Sequence, residues 1–102
     1  MRARVSWMNE ADDAILEYFQ KLETDTDHRI ALPPTAVWYN LVEELSVLNR
    51  SQNTISRRMN VLADAGLLEK TDKKRGYYKI TDYGLSYLRG ELEARELERG
   101  KN

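Results

Sequence analysis

The sequence has no cysteine, a single histidine and only two prolines. Without cysteine there is no disulfide, no thiol nucleophile and no cysteine-based zinc site. His28 stands alone in an acidic stretch with Asp25 and Asp27, and a metal site needs several convergent ligands, so no metal is expected. No apolar run approaches the roughly 20 residues of a spanning helix, and no signal-peptide pattern opens the chain. A cytoplasmic protein without membrane contact is expected. A Gly-rich phosphate loop, a Ser/His/Asp set and a nucleophile elbow are also missing. The adjacent acids Asp12 and Asp13, and Glu43 and Glu44, point about 100° apart on a helix and cannot converge on one atom. No catalytic residue and no cofactor are expected, so the chain does not read as an enzyme.

What is present suffices for one domain: 102 residues, 41% hydrophobic and 32% charged. The net charge of −1 argues at first against nucleic acid, whose binders usually carry an excess of positive charge. Its distribution answers the objection. Residues 1–49 carry four bases against nine acids, residues 50–79 eight against three, and residues 80–102 four against five. The basic middle third, at net +5, lies between acidic flanks of −5 and −1. Such segregation is often only a solvated face, so it needs structural support.

Residues 1–8 read as an N-terminal arm with Arg2, Arg4 and Trp7. Asn9 is a good N-cap, and Glu10, Asp12 and Asp13 suit the positive end of the following helix dipole. Ile15, Leu16, Phe19 and Leu22 predict a helix over about 10–22, with a polar loop at 23–28 and a short strand at 29–32. Pro34 suits the first turn of a second helix reaching Leu45, with Val37, Leu41 and Leu45 as its stripe beside Trp38 and Val42. Ser51 caps a third helix whose inward residues are Ile55, Met59 and Leu62, and Gly66 ends it. The period then changes to 2: strands at 67–70 and 77–80 flank a loop at 71–76, with Tyr78 and Ile80 on the core face. A last helix, capped by Thr81 or Asp82, carries Leu85, Leu88 and Leu92, and residues 91–102 either extend it or fray. Trp7 and Trp38 read as packing anchors, and Tyr83 and Tyr87 pack on the domain or a partner.

Two helices joined by a short turn and followed by a basic-tipped hairpin predict a winged helix-turn-helix. The class is mainly α with a small β-hairpin (α+β), the domain spans residues 9–90, and a C-terminal helix follows. The major groove, about 12 Å wide, admits one helix. Opposite the inward residues of the third helix lie Asn53, Ser56, Arg57 and Asn60, with Gln52 in the first turn and Arg58 on the flank. These residue types read bases: Arg guanine, Asn and Gln adenine. Ser51 is a candidate phosphate contact at the helix N-terminus. Lys73, Lys74, Arg75 and Tyr77 of the wing are expected on the backbone or in the minor groove, where contacts add affinity rather than sequence choice.

The ordered motifs match a known family. Ser6, Trp7 and Met8 with Ala11, Asp12, Asp13, Ile15, Leu16 and Glu17 resemble its opening, and Ala31, Leu32, Pro33 and Pro34 with Asn40 and Leu41 its second helix. Ser56, Arg57 and Arg58 with Leu62, Gly66, Leu67 and Glu69 resemble its recognition helix and first wing strand. Gly76, Tyr77, Tyr78, Ile80, Thr81, Gly84, Tyr87, Leu88, Gly90, Glu91 and Leu92 resemble the second wing strand and last helix. Over residues 6–97 the chain resembles haloarchaeal winged-helix proteins related to the repressor of the halophilic phage phi-H. The resemblance implies a small DNA-binding transcriptional regulator of a haloarchaeon or its virus, with the helix-turn-helix role at 51–60 and the wing role at 73–77. A repressor is expected, although activation or repression depends on where the operator lies.

Double-stranded DNA is the expected partner, together with a second copy of the chain through a Leu85, Leu88 and Leu92 stripe that continues toward Leu97. No small-molecule effector is expected, because no effector domain or spare pocket is evident. The competing reading is a winged-helix protein-interaction module, since fold alone does not fix function. Such a module should expose aromatic or aliphatic anchors on its third helix, where this chain has Gln, Asn, Ser and Arg.

Overall fold

The first helix, α1 (Glu10–Thr26), starts in a reciprocal cap. Asn9 Oδ1 accepts from the Ala11 and Asp12 N–H groups at 2.9 and 3.2 Å, while Asp12 Oδ2 accepts from the Asn9 N–H at 3.0 Å. This is a computed structural model, and it describes residues 5–72 and 74–101. The proposed arm residues Arg2 and Arg4 lie outside the described residues, whereas Val5, Trp7 and Met8 pack against the core.

α1 runs a turn beyond the expected end. Residues 23–26 add no apolar face, but their polar groups hold the turn locally. Lys21 pairs with Asp25 at i,i+4, and Thr26 Oγ1 donates to the Leu22 carbonyl at 2.6 Å. Arg29 folds back to Glu23 at 2.9 Å and also meets Asp82 at 2.9 Å, which places a cation at the negative end of the helix dipole. The hydrogen bond to Glu23 raises the Arg29 guanidinium above its ordinary range. The expected strand at 29–32 reduces to one bridge, in which Leu32 exchanges both backbone hydrogen bonds with Tyr78.

The second helix, α2 (Pro34–Trp38), passes directly into a π-helical segment, Tyr39–Glu44. Its wider winding ends the expected stripe after Leu41. The Leu45 N–H bonds five residues back to the Asn40 carbonyl, and Leu45 rotates outward to 56% exposure. Leu48, rather than Leu45, is buried in the core. Between them Ser46 adopts a left-handed backbone, φ 54°, which a residue with a Cβ rarely accepts.

The third helix, α3 (Gln52–Asp64), buries Ile55, Met59 and Leu62 as their spacing requires, and Gly66 follows it at φ 84°. The hairpin pairs β1 (Leu68–Asp72) with β2 (Tyr77–Ile80), antiparallel, with an irregularity between Lys70 and Asp72. β1 thus runs two residues further than expected. Tyr78 and Ile80 point into the core.

The fourth helix, α4 (Asp82–Leu88), is capped by Thr81, whose Oγ1 accepts from the Gly84 N–H and donates to the Gly66 carbonyl. Gly84 is required by close approach: a Cβ there would lie 2.4 Å from the Leu67 carbonyl oxygen. The chain breaks at Gly90 before α5 (Ala94–Lys101), whose Leu97 is fully buried. One core therefore gathers Ile15, Leu16 and Phe19 of α1 with residues of α3, both wing strands and α4. Among the described residues no helix is long and apolar enough to cross a membrane.

Candidate nucleic-acid interface

The site begins at the N-terminus of α3. Ser51 Oγ accepts from the Thr54 N–H at 3.1 Å and donates to Thr54 Oγ1 at 3.0 Å. The hydroxyl proposed for a phosphate is thus committed to capping, and the helix end itself stays exposed. Gln52 donates through Nε2 to Thr35 Oγ1 at 2.8 Å, which joins the first turns of α2 and α3.

The outward arc presents Asn53, Arg57 and Asn60 to solvent, at i, i+4 and i+7, with Ser56 half-buried beside them. Arg57 makes no ion pair among the described residues. Its guanidinium fork, five donors on an exposed helix face, is available for a base edge or phosphate.

The neighbouring arginine, expected on the DNA-facing flank, is instead turned into the protein. Arg58 is held inward: Nε lies 2.8 Å from Asp12 Oδ1, and Nη2 lies 2.6 Å from Oδ2 and 2.7 Å from the Trp7 carbonyl. Asp12 is fully buried and Arg58 only 15% exposed. The hydrogen bonds to Asp12 raise the guanidinium above its ordinary range against the opposing effect of burial. This bidentate clamp ties α3 to α1 and to the chain entering it. Asp13 accepts from the buried Tyr87 hydroxyl, which ties α1 to α4. Asp12 and Asp13 therefore do more than cap their helix.

The wing tip is a turn organised by Asp72. Its Oδ1 accepts from the Lys74 and Arg75 N–H groups at 3.1 and 3.2 Å, and its carbonyl accepts from the Gly76 N–H at 2.8 Å. Lys74, Arg75 and Tyr77 are exposed on this turn, with Arg75 in a loose 3.6 Å contact with Asp72. Lys73 lies outside the described residues.

Several residues enter the site that sequence reasoning did not single out. Arg50 stands immediately before the Ser51 cap, exposed and paired with Glu10 at 2.9 Å. Its membership of the basic third was the available signal. Thr35 joins through Gln52, and Lys70 sits 5.6 Å from the Tyr78 ring centroid. Asp64 completes the outward arc at the C-terminal end of α3, near Glu69 across the groove between α3 and the wing. Two acids at that end of the groove would repel a phosphate.

The leucines expected at a dimer contact pack within the chain instead. Leu85 and Leu88 are buried in the chain's own core and Leu92 packs partly against it. Because the helix breaks at Gly90, no continuous stripe runs to Leu97, which packs inward instead. The described apolar side chains left most exposed are Leu45, Val47 and Tyr39.

Comparison with known proteins agrees with this architecture. The family model described as winged helix-turn-helix phage repressor matches residues 1–100. The repressor protein of Halobacterium phage phiH is 34% identical over 100 residues, covering 97% of this chain and 99% of that protein. No solved structure matches the chain. A capped third helix with a polar outward face, a basic hairpin tip beside it and a family match over nearly every residue agree: the chain belongs to the winged helix-turn-helix phage repressor family.

Proposed function

We propose that the protein is a sequence-specific double-stranded DNA-binding repressor of transcription, working in the cytoplasm without cofactor or small-molecule effector. Residues 51–65 enter the major groove, and residues 71–77 lie along the backbone. The observation that carries this reading is the outward face of α3, where Asn53, Arg57 and Asn60 stand exposed without a large apolar side chain among them. A protein-docking helix would present exposed aromatic or aliphatic anchors at those positions. The basic third of the sequence supplies this helix and the wing, which supports the DNA reading over the interaction module.

The reading extends to two copies on a symmetric site, with half-sites roughly 34–36 Å apart. The leucines of α4 are used inside each copy. The surface favoured for this contact is the ledge of Tyr18, Leu45 and Val47, which lie along one groove. Leu45 and Val47 are 56% and 58% exposed, held out by a π turn and a left-handed Ser46 that cost conformational energy.

Selection of binding sites from random duplexes at two salt concentrations tests the proposal. The expected result is a recurring two-fold motif whose affinity falls steeply with salt. Recovery of unrelated sequences at both concentrations would refute sequence-specific binding.

A further inference from the structure

On the exposed arc of α3, the Asn60 side chain is already engaged. Tyr78, on the second wing strand, is 3% exposed and donates its hydroxyl to Asn60 Oδ1 at 2.6 Å. The tyrosine has little freedom to move. Its N–H and carbonyl both bond to Leu32, at 2.9 and 2.8 Å, its strand pairs with β1 at Lys70, and the Lys70 ammonium lies against its ring. A buried phenol needs a partner for its O–H, and an amide oxygen accepts where the amide nitrogen only donates. The amide of Asn60 is therefore oriented with its oxygen toward the wing and its nitrogen away from it.

We propose that Tyr78 is a positioning residue that fixes how Asn60 reads a base. The inference rests on the reading of α3 as a DNA-recognition helix. With its oxygen engaged, Asn60 offers Nδ2 as a donor to an acceptor on a major-groove edge. Guanine presents N7 and O6 there, adenine N7 and thymine O4, whereas cytosine presents only its N4 donor. Asn60 thus accepts several bases and rejects cytosine on the strand it faces. The wing contributes to sequence choice through this hydrogen bond, besides any backbone contact of its own.

The test compares wild type, Tyr78→Phe, Asn60→Asp and Asn60→Ala on the selected duplex and its single-base variants, with melting of each protein in parallel. Wild type should disfavour cytosine at one position by about 3- to 10-fold, the value of one hydrogen bond. Tyr78→Phe keeps the ring and frees the amide to turn, so cytosine should be admitted to within about twofold, with other positions unchanged. Asn60→Asp, an acceptor only, should bind more weakly overall and turn the preference toward cytosine at that position. Asn60→Ala should abolish the preference there. A purely structural hydrogen bond would lower melting and overall affinity without changing the preference at one base. Unchanged discrimination in a folded Tyr78→Phe, or in Asn60→Ala, overturns the proposal while leaving DNA reading by α3 intact. A wild type with no preference at any position overturns both.

Discussion

The two faces of α3 carry adjacent arginines with opposite fates. Arg58 faces α1 and spends its fork on a buried carboxylate and a backbone carbonyl, whereas Arg57, one residue earlier, faces solvent with its fork open. A turn of about 100° separates a residue that holds the helix from one suited to reading with it. Residue type alone could not divide them. The division depends on what α1 brings to the inward face, and Asp12 lies 46 positions away in the sequence.

The comparison is sharpened most by removing Arg58. Arg58→Ala leaves the buried Asp12 carboxyl without its ion-pair partner, and should cost about 3–5 kcal/mol of stability in urea unfolding. A loss below roughly 1 kcal/mol would show that the clamp is dispensable. Next is Tyr87→Phe, which removes the second tether to α1 and should cost about 1.5–3 kcal/mol, as for a hydrogen bond to a charged group. Unaltered denaturant midpoints would contradict that role. Truncating Lys73, Lys74 and Arg75 to Ala together should leave stability within about 0.5 kcal/mol. It should weaken binding similarly on all sequences and flatten the log–log salt slope by up to roughly 3. An unaltered slope would remove the wing from the interface. Leu45→Ser with Val47→Ser should likewise leave stability within about 0.5 kcal/mol, because both side chains are exposed. Sedimentation should nevertheless shift toward the monomer, and an unchanged oligomeric state would move the contact elsewhere.

The legibility of the sequence follows the range of the interactions. Asn9 and Ser51 are readable as caps, and Thr81 as one of two candidates, because a cap acts within three residues. Ile55, Met59 and Leu62, and Tyr78 with Ile80, were readable because a helix and a hairpin each impose one period on their inward side. The C-terminal turn of α1 was missed because it is held by Lys21–Asp25 and by Arg29, polar contacts that leave no apolar periodicity. Leu45 was misplaced because a π turn changes the angular step without a proline or glycine to announce it. The leucines of α4 looked surplus because the break at Gly90 and the return of Leu97 onto the core appear only in three dimensions. Within the candidate site the same rule applies. The exposed arc of α3 followed from phase, whereas the Arg58 clamp and the Tyr78–Asn60 bond join residues 46 and 18 positions apart.

The central claim, that the outward face of α3 reads DNA while the inward face holds it, is tested most directly by Arg57→Ala. Binding to the selected duplex and its single-base variants is measured alongside thermal melting. The account predicts a loss of about 1–3 kcal/mol on the selected site, with discrimination gone at one base pair and melting unchanged. Full affinity with every preference retained would contradict it.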